Sequence, residues 1–355
     1  MKICFFNCTK AWGGGEKWHF DHALAFHNDG HEVAVVSKKD GELHRRASAE
    51  NFKTKALSIG NLSCLNLLKI WKVYRFFKTE KFDILVMNCS NDLKIAAPIA
   101  RFCGIKKIIY RRGSAIPIKD SAFNRFIFGK CLTHVLANSE DTKKTILSLN
   151  SSLFPSDKIK VIYNGIETKD YQYMPFENEI PVIGNIGRLV KQKRQDLLID
   201  VAGILQSRNI KCKFRIGGEG RMMEELQNKV IENDLSDYVE FTGFVKDSED
   251  FLRHIDIFAL TSKWEGFGYV LAEAMLARKP LVAFNISSNP ELITDGYNGS
   301  LIPWGDRQAF ADAIQYLIEH PLKRKEYGEN SYTMVQEKFD FEKSKVLVMD
   351  YFLNK

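Results

Sequence analysis

The amino-acid sequence predicts an α/β protein with two domains, each built on a doubly wound parallel β-sheet. Three observations support this fold class. The chain has 355 residues, too many for one ordinary hydrophobic core. Short apolar segments alternate with amphipathic helical stretches along it, and the alternation starts afresh after a break near residue 180. Such alternation is typical of parallel sheets covered by helices on both faces.

The predicted strands are the short apolar segments. In the first half they lie at 2–6, 32–37, 84–87, 107–110, 134–138 and 161–163. In the second half they lie at 182–186, 213–216, 239–241, 257–260, 281–284 and 300–302. Several of the segments between these strands have the apolar periodicity of a helix, and one such predicted helix ends at Gly30.

These segments divide the chain into an N-terminal domain at 1–166, a linker at 167–181, a C-terminal domain at 182–336 and a C-terminal helix at 337–355. The linker is a polar, aromatic and proline-containing stretch that interrupts the pattern. Open parallel sheets bind ligands at the carboxyl ends of their strands. Two such sheets facing each other would therefore place a ligand site in the cleft between them.

The composition is that of a soluble globular protein, with 45% hydrophobic and 27% charged residues. No apolar run reaches the roughly 18 residues of a transmembrane helix, and the first residues make a poor signal peptide. The seven cysteines are odd in number and lack metal-ligand spacing. We therefore expect a reduced cytoplasmic compartment and no metal site.

The net charge of +7 is unevenly distributed. Through Gly165 there are 27 Lys and Arg against 14 Asp and Glu, a net +13, whereas the remainder has 24 against 30, a net −6. This asymmetry favours an anionic partner for the first half. Because no nucleic-acid motif is present, a phosphate-bearing membrane surface or a lipid-phosphate acceptor is the better match. Solvated lysines without a partner are the alternative.

Two loops that follow predicted strands contain residues suited to anions. The segment GGGE at 13–16 opens the first helix, and free amides there favour phosphate, although a plain glycine turn explains it equally well. The segment GRLVKQK at 187–193 follows the first strand of the second half. Arg188 and Lys193 could hold a diphosphate and stabilise it as a leaving group without metal. A solvated basic loop is the alternative.

Two carboxylates eight residues apart, Glu265 and Glu273, flank a glycine-containing turn that leads into an apolar helix. A carboxylate on such a helix is costly to bury alone, and ribose hydroxyls would satisfy Glu273. The amides from Gly266 to Gly268 lie at the helix N-terminus and are suited to phosphate or sugar oxygens. A purely structural salt bridge is the alternative for Glu273.

Taken together, the motifs resemble those of the retaining, metal-independent glycosyltransferases of the GT-B fold, of group 1 or family 4 type. They are GGGE at 13–16, IYNGIE at 162–167, GRLVKQK at 187–193, GGEGR at 217–221, FTGFV at 241–245, EGFGYVLAEAM at 265–275 and NGSLIPWGD at 298–306. The resemblance covers nearly the whole chain. It implies two Rossmann-like domains facing each other across a cleft, with a C-terminal helix that returns to the first.

The resemblance also implies roles for single residues. Arg188 and Lys193 would bind the donor diphosphate and act in catalysis with Glu265, which would hold hydroxyls of the transferred sugar. Glu273 would hold the ribose. Further donor contacts would come from Gly14, Gly15, Val245, Gly266, Phe267 and Gly268. The implied co-substrate is a UDP- or GDP-sugar, with neither cofactor nor metal.

One position departs from the family pattern. In IYRRGS at 109–114, Arg112 stands where many members have a catalytic-site histidine. An arginine is no general base near neutral pH, but it can bind a phosphate or carboxylate. We therefore expect Arg112 to act on the acceptor side through its charge. A surface pair formed with Arg111 is the alternative.

Two aromatic and basic segments, 65–78 and 123–130, have the character of amphipathic helices. Such helices can lie in a membrane interface. Packing of their apolar stripe on the sheet of the first domain is the alternative.

These expectations combine into one function. The chain would transfer a sugar, with retention, from a nucleotide sugar to an acceptor hydroxyl in the synthesis of lipopolysaccharide, capsule or another surface glycan. The departing diphosphate would take the acceptor proton. A glycan or lipid-linked phosphate acceptor, peripheral contact with the cytoplasmic membrane face and no nucleic acid are expected. A GT-B epimerase or hydrolase and a silent nucleotide-sugar-binding module are the alternatives.

Overall fold

The computed structural model describes residues 1–168 and 178–354. They form two compact units, one made of Met1–Asn164 with Glu342–Lys355 and the other of Gly165–Phe341. Most of the predicted linker at 167–181 lies outside the described residues. The predicted domain limits therefore stay a prediction.

The first unit contains a seven-stranded parallel sheet in the order β3-β2-β1-β4-β5-β6-β7. Its strands are β1 (Lys2–Asn7), β2 (Glu32–Ser37), β3 (Lys53–Ala56), β4 (Ile84–Met87), β5 (Lys107–Arg112), β6 (His134–Ala137) and β7 (Ile159–Val161). The sequence pattern missed β3. This strand lies at the edge of the sheet and has the largely polar sequence KTKA, so it carries no apolar signal.

The second unit contains a six-stranded parallel sheet in the order β10-β9-β8-β11-β12-β13. Its strands are β8 (Val182–Ile186), β9 (Lys213–Gly217), β10 (Val239–Gly243), β11 (Ile257–Leu260), β12 (Leu281–Phe284) and β13 (Gly299–Ile302). Each overlaps a predicted segment. In both sheets the strand order reverses at one place, between β1 and β4 and between β8 and β11.

Helices connect successive strands. In the first unit they are α1 (Gly14–Asn28), α2 (Glu42–Ala49), α3 (Leu67–Glu80), α4 (Ser90–Phe102), α5 (Ala122–Phe126) and α6 (Glu140–Leu147). The second unit has α7 (Gln195–Ser207), α8 (Met223–Glu232), α9 (Ser248–Arg253), α10 (Tyr269–Leu276), α11 (Asn289–Leu292), α12 (Arg307–Glu319) and α13 (Pro321–Lys338). The last helix is α14 (Phe341–Leu353). Within the described ranges, no helix combines the length and the apolar character needed to cross a bilayer.

The sheet of the first unit is buried on both faces, as parallel sheets require. Along β1, Cys4 and Phe6 belong to one apolar cluster, whereas Ile3 and Phe5 belong to another. Alternate side chains of a strand point to opposite faces, so the two clusters cover the two faces of the sheet.

Helix α14 packs on the first unit although it is the end of the chain. The Phe352 ring is buried and stacks on Phe26, with ring centroids 5.2 Å apart. The Lys107 ammonium donates to the carbonyl oxygens of Tyr351 and Asn354, both at 2.6 Å. A cation at a helix C-terminus opposes the negative end of the helix dipole, so charge and packing both hold α14 in place.

The two aromatic segments have different environments. Helix α3 buries Val73 and Phe77 against the sheet but leaves Leu68 and Trp71 exposed. Packing on the sheet thus accounts for only one of its faces. The segment at 123–130 is not one continuous α-helix: α5 passes into a turn of π-helix at Ile127–Cys131.

Candidate functional site

In the second unit, the loops that follow β8 and β11 are fastened to each other. The Lys263 amide donates to the Gln192 carbonyl oxygen at 2.8 Å, and Gln192 Nε2 donates to the Trp264 carbonyl oxygen at 2.9 Å. Thr261 Oγ1 donates to the Lys193 carbonyl oxygen at 3.1 Å. These strands flank the reversal in strand order, where open α/β sheets form their ligand crevice. Arg188, Lys193, Glu265 and the Gly266–Gly268 turn therefore lie on two coupled loops at the expected edge.

Two of the predicted donor residues pair with each other. Lys193 Nζ lies 2.6 Å from Glu265 Oε1, and little of either side chain is exposed. The Glu265 backbone is held in turn by Ser287, whose hydroxyl donates to the Glu265 carbonyl oxygen at 2.7 Å. Sequence reasoning assigned the lysine to a diphosphate and the glutamate to a sugar. The structure adds that each charge already compensates the burial of the other.

The loop after β8 is also fixed from the β9 side by a glycine. The Gly187 amide donates to the Gly217 carbonyl oxygen at 2.9 Å, and Gly218 has a φ of +137°. A Cβ atom on Gly218 would lie 1.9 Å from the Gly187 carbonyl oxygen. Only glycine fits there, which gives the GGEGR motif a steric function. A Cβ atom on Gly217 would lie 2.4 Å from Val245 Cγ2, so the loop after β10 also packs against this strand end.

The turn before α10, at Gly266–Gly268, is buried and contains two glycines. Gly268 precedes the helix, and the Phe267 ring is buried against Phe339, with centroids 5.4 Å apart. Phe267 is therefore an anchor for the turn. Glu273 lies in the second turn of α10 and is half-buried. The structure thus places Glu273 and the Gly266–Gly268 turn on one short segment.

Arg188 differs from Lys193 in its surroundings. Its side chain is exposed at the carboxyl end of β8 and forms no ion pair with any residue that the structure describes. Its guanidinium is accordingly available to an anion from solvent without first breaking an ion pair. The predicted cation pair thus consists of one exposed cation and one cation already held by a carboxylate.

In the first unit, the loops after β1, β4 and β5 surround a polar cavity of about 510 Å³. This is again the place where the strand order reverses. The lining residues combine hydroxyls, amides, thiols, one carboxylate and two guanidinium groups: Cys8, Thr9, Ile59, Asn88, Cys89, Ser90, Asn91, Asp92, Arg111, Arg112, Gly113 and Ser114. We call this the Arg111–Arg112 cavity.

Arg111 is not a surface residue, so a surface pair with Arg112 is wrong. Only 2% of Arg111 is exposed. It donates to Asn88 Oδ1 at 2.9 Å and to Asn164 Oδ1 at 2.8 Å, and its guanidinium lies 5.0 Å from the centre of the Trp18 ring. Asn88 and Asn164 follow β4 and β7, so three strand ends hold one cation.

Arg112 is half-buried and is held at both ends of its fork. Nη1 donates to Tyr110 Oη at 3.0 Å, and Nη2 donates to the Ile116 carbonyl oxygen at 2.8 Å. This arrangement fixes the guanidinium on the cavity wall. A fixed cation can orient an anion, whereas it cannot accept a proton.

The GGGE segment has a steric reason of its own. A Cβ atom on Gly15 would lie 2.4 Å from Asn88 Nδ2. Glu16 is buried and accepts a hydrogen bond from Asn7 Nδ2 at 3.1 Å. Gly14 begins α1 beside them. Gly15 thus allows the first helix to approach Asn88, the asparagine that accepts from Arg111.

Burial shifts the pKa of several titratable groups at or near this cavity, among them Asp92 and His19. Desolvation raises the pKa of Asp92 to about 7, although the Cys8 amide donates to Asp92 Oδ2 at 3.0 Å. Desolvation, followed by the charge of Arg111, lowers the pKa of His19 to about 3. His19 is therefore neutral at physiological pH, and the positive charge of the region resides on the arginines.

Sequence reasoning missed Asn7, Asn88, Asp92 and Asn164. Their positions in the sequence could have identified three of them, because Asn7, Asn88 and Asn164 lie at the end of a strand of the first sheet or shortly after one. Polar residues at such places meet at one edge of a parallel sheet. Asp92 lies in the first turn of α4, where a single acidic residue also has an ordinary helix-capping explanation.

Comparisons with known proteins agree with this architecture. The model of the glycosyl transferases group 1 matches residues 169–334, and that of glycosyltransferase family 4 matches residues 12–170. An uncharacterised glycosyltransferase of Methanocaldococcus jannaschii is 30% identical over 312 residues, covering 78% of this chain and 76% of the relative. The chain belongs to the group 1 glycosyltransferases.

Other similarities of this glycosyltransferase extend over most of its length. The UDP-Gal:α-D-GlcNAc-diphosphoundecaprenol α-1,3-galactosyltransferase of Escherichia coli is 23% identical, covering 81% of this chain and 80% of the relative. The Anabaena protein HepE, solved with UDP and glucose, has a TM-score of 0.86 at 22% identity and covers 100% of both chains. The fold is therefore the Rossmann-like GT-B fold that the sequence predicts. Three further relatives align over only 33% to 58% of their own length.

The glycosyltransferase should show a pH-dependent stability that originates at Asp92. Because the pKa of Asp92 is about 7 in the folded chain, against an ordinary value of 3.8, the folded state binds the proton more tightly than the unfolded state between these limits. The free energy of unfolding should therefore fall as the pH rises from about 4 to about 7. Asp92→Asn should remove this contribution. Denaturant unfolding of both proteins at several pH values measures it, and parallel pH profiles would contradict the assignment.

Proposed function

We propose that this glycosyltransferase transfers a sugar, with retention of configuration and without a metal, from a nucleotide sugar to a glycan or lipid-linked phosphate acceptor in surface-glycan synthesis. The observation that carries the proposal is the coupled loop pair of the second unit. There an exposed Arg188 and the Lys193–Glu265 pair lie at the reversal in strand order. A diphosphate with a sugar attached is a ligand that uses both cations and the carboxylate.

The donor would be bound by groups with separate tasks. Arg188 binds phosphate oxygens through its planar fork, and Lys193 adds a second charge while remaining beside Glu265. Glu265 accepts from hydroxyls of the transferred sugar, and Glu273 accepts from the ribose. The amides of the Gly266–Gly268 turn and the backbone at Val245 complete the donor site. The donor contacts of Gly14 and Gly15 stay a prediction.

The chemical step would follow from this charge distribution. As the bond between the sugar and the diphosphate breaks, negative charge develops on the leaving oxygen, and Arg188 and Lys193 stabilise it. The departing diphosphate takes the proton of the acceptor hydroxyl. The hydroxyl oxygen then bonds to the anomeric carbon on the face that the diphosphate leaves, which retains the configuration. No protein nucleophile takes part.

The acceptor would bind in the first unit. Support comes from its basic charge and from the Arg111–Arg112 cavity, in which two guanidinium groups share one polar pocket. Support also comes from the galactosyltransferase of Escherichia coli, whose named acceptor is a diphosphoundecaprenol. We propose that Arg112 binds the phosphate of the acceptor and that the enzyme works in the cytoplasm, in peripheral contact with the membrane.

The activity can be tested directly. The purified protein should consume a nucleotide sugar faster when a glycosyl-diphospholipid acceptor is present, and nuclear magnetic resonance of the product should show the anomeric configuration of the donor. Turnover in EDTA should equal turnover with added magnesium, because arginine and lysine neutralise the diphosphate. Donor consumption that does not depend on an acceptor would instead indicate an epimerase or hydrolase. Binding without consumption would indicate a silent binding module.

Donor affinity should depend on Lys193 and Glu273. Lys193→Ala and Glu273→Ala should each weaken binding at least tenfold, because each removes a charge-assisted contact of roughly 1.5–3 kcal/mol. Titration calorimetry with UDP and with GDP measures the effect. Lys191→Ala, which removes an exposed lysine of the same loop, is the matched control. Since Lys193→Ala also leaves Glu265 unpaired, thermal unfolding must show that the variant is folded at the assay temperature.

Unchanged nucleotide affinity in both variants would contradict the donor assignment. A loss of affinity confined to Lys193→Ala would retain the diphosphate site and remove the ribose role of Glu273.

Arg112 should act on the acceptor by charge and position. Arg112→Ala should raise KM for a phosphate-bearing acceptor about tenfold or more and leave KM for a truncated acceptor without phosphate unchanged. Arg112→Lys should keep part of the effect, because the charge remains while the fork is lost. Arg101→Ala, at an exposed arginine of the same unit, is the control. An equal loss of turnover on both acceptors would exclude the phosphate role.

A further inference from the structure

An apolar groove of about 460 Å³ lies between α3, α4 and α5 of the first unit. Its walls are formed by Cys64, Ile70, Tyr74, Ile95, Pro98, Ile99, Phe102, Phe123 and Phe126, and among the described residues that line it Lys94 is the only charged one. The volume lies within the range of about 300–1,000 Å³ that is usual for ligand pockets. We call it the α3–α5 groove.

Two segments of chain contribute to both the groove and the Arg111–Arg112 cavity. The first turn of α4, at Ser90–Asp92, lines the cavity, and the same helix lines the groove from Lys94 onward. At ~1.5 Å per residue, Asp92 and Pro98 are about 9 Å apart along the helix axis. The chain after β5 has Ser114 at the cavity and Phe123 at the groove. Neighbouring residues of one helix, Asp92 and Lys94, thus line the polar cavity and the apolar groove.

The groove has exposed apolar side chains, and the helix α3 that forms one of its walls is basic. Phe102, which lines the groove, is 80% exposed, and so is Leu67, three residues before the groove residue Ile70. Helix α3 carries Lys69, Lys72, Arg75 and Lys78, whereas its one acidic residue, Glu80, pairs with Lys2 and Lys53. Exposed apolar clusters mark interaction sites, and a basic surround complements anionic lipid headgroups.

The lining chemistry selects a hydrocarbon chain over a peptide. An extended peptide carries amide and carbonyl groups that would lose their hydrogen bonds to water. The apolar lining of the groove would offer them almost no new hydrogen-bond partners. A hydrocarbon chain has no such groups. It gains free energy in proportion to the apolar area that it buries. Lys94, the charged residue of the groove lining, follows the cavity residue Asp92 by two positions along α4.

From this arrangement we propose that the α3–α5 groove binds the hydrocarbon chain of the lipid-linked acceptor, while the acceptor phosphate lies in the Arg111–Arg112 cavity. The proposal rests on the proposed function, because it assigns a second part of the same acceptor. It makes the groove a specificity-determining site: chain length, as well as the head group, decides how well an acceptor binds.

The test compares two acceptors with the same glycosyl diphosphate, one on a long polyprenyl chain in detergent and one on a short water-soluble chain. Phe102→Ser/Phe126→Ser should raise KM for the long-chain acceptor about tenfold, because two rings of the groove are lost. KM and kcat for the short-chain acceptor should stay within about twofold. Both phenylalanines are exposed, so their loss should spare the core, and Leu149→Ser at an exposed leucine of the same unit is the control.

A second measurement uses a fluorescent farnesyl diphosphate and needs no turnover. Its affinity should fall about tenfold in the double variant and remain unchanged in Leu149→Ser. If the wild-type protein binds this probe in the groove but glycosylates neither acceptor, the proposed function fails and the groove assignment stands.

Three results would overturn the groove assignment. One is an equal rise in KM for both acceptors, which would place the effect in the cavity. Another is unchanged KM together with unchanged probe affinity. The third is that less of the double variant than of the wild-type protein pellets with phosphatidylglycerol–phosphatidylcholine vesicles, while its KM for the long-chain acceptor in detergent is unchanged. The groove would then contact bulk lipid only.

Discussion

The parallel direction of every strand pair is the constraint on which the sites of this protein depend. Because parallel strands must be joined by crossovers, all their carboxyl ends lie at one edge of each sheet, and the chain diverges there only where the strand order reverses. In the second unit that place brings together the loops after β8 and β11. In the first it opens the Arg111–Arg112 cavity. The strand order therefore fixes where both sites lie, and the side chains fix their chemistry.

The two sites handle buried charge in different ways. In the second unit, Lys193 and Glu265 compensate each other directly at 2.6 Å. In the first unit, Arg111 is held by the neutral amides of Asn88 and Asn164, and His19 beside it remains uncharged. The first unit thus holds a buried guanidinium through side-chain amides, whereas the second has a compensated pair and one exposed cation, Arg188.

This difference suits the two substrates of the proposed reaction. A donor must bind and then leave as a diphosphate, which requires cations at the leaving oxygen. An acceptor anion must be held without being altered, which favours a fixed guanidinium such as Arg112 that neither gives nor takes a proton. The apolar α3–α5 groove suits the lipid part of such an acceptor, because its apolar lining favours a hydrocarbon chain over polar groups.

The sequence by itself determined the fold class and the family, because apolar periodicity and glycine motifs are local signals. The donor residues that it indicates stay a prediction. It missed β3, whose polar edge position has no such signal. Only the tertiary structure decided that Lys193 pairs with Glu265 across 72 residues, since burial of both charges depends on how two loops meet. It likewise decided that Arg111 is buried and that helix α4 lines both the cavity and the groove. Those facts arise from contacts between distant strand ends and helices, which no local pattern encodes.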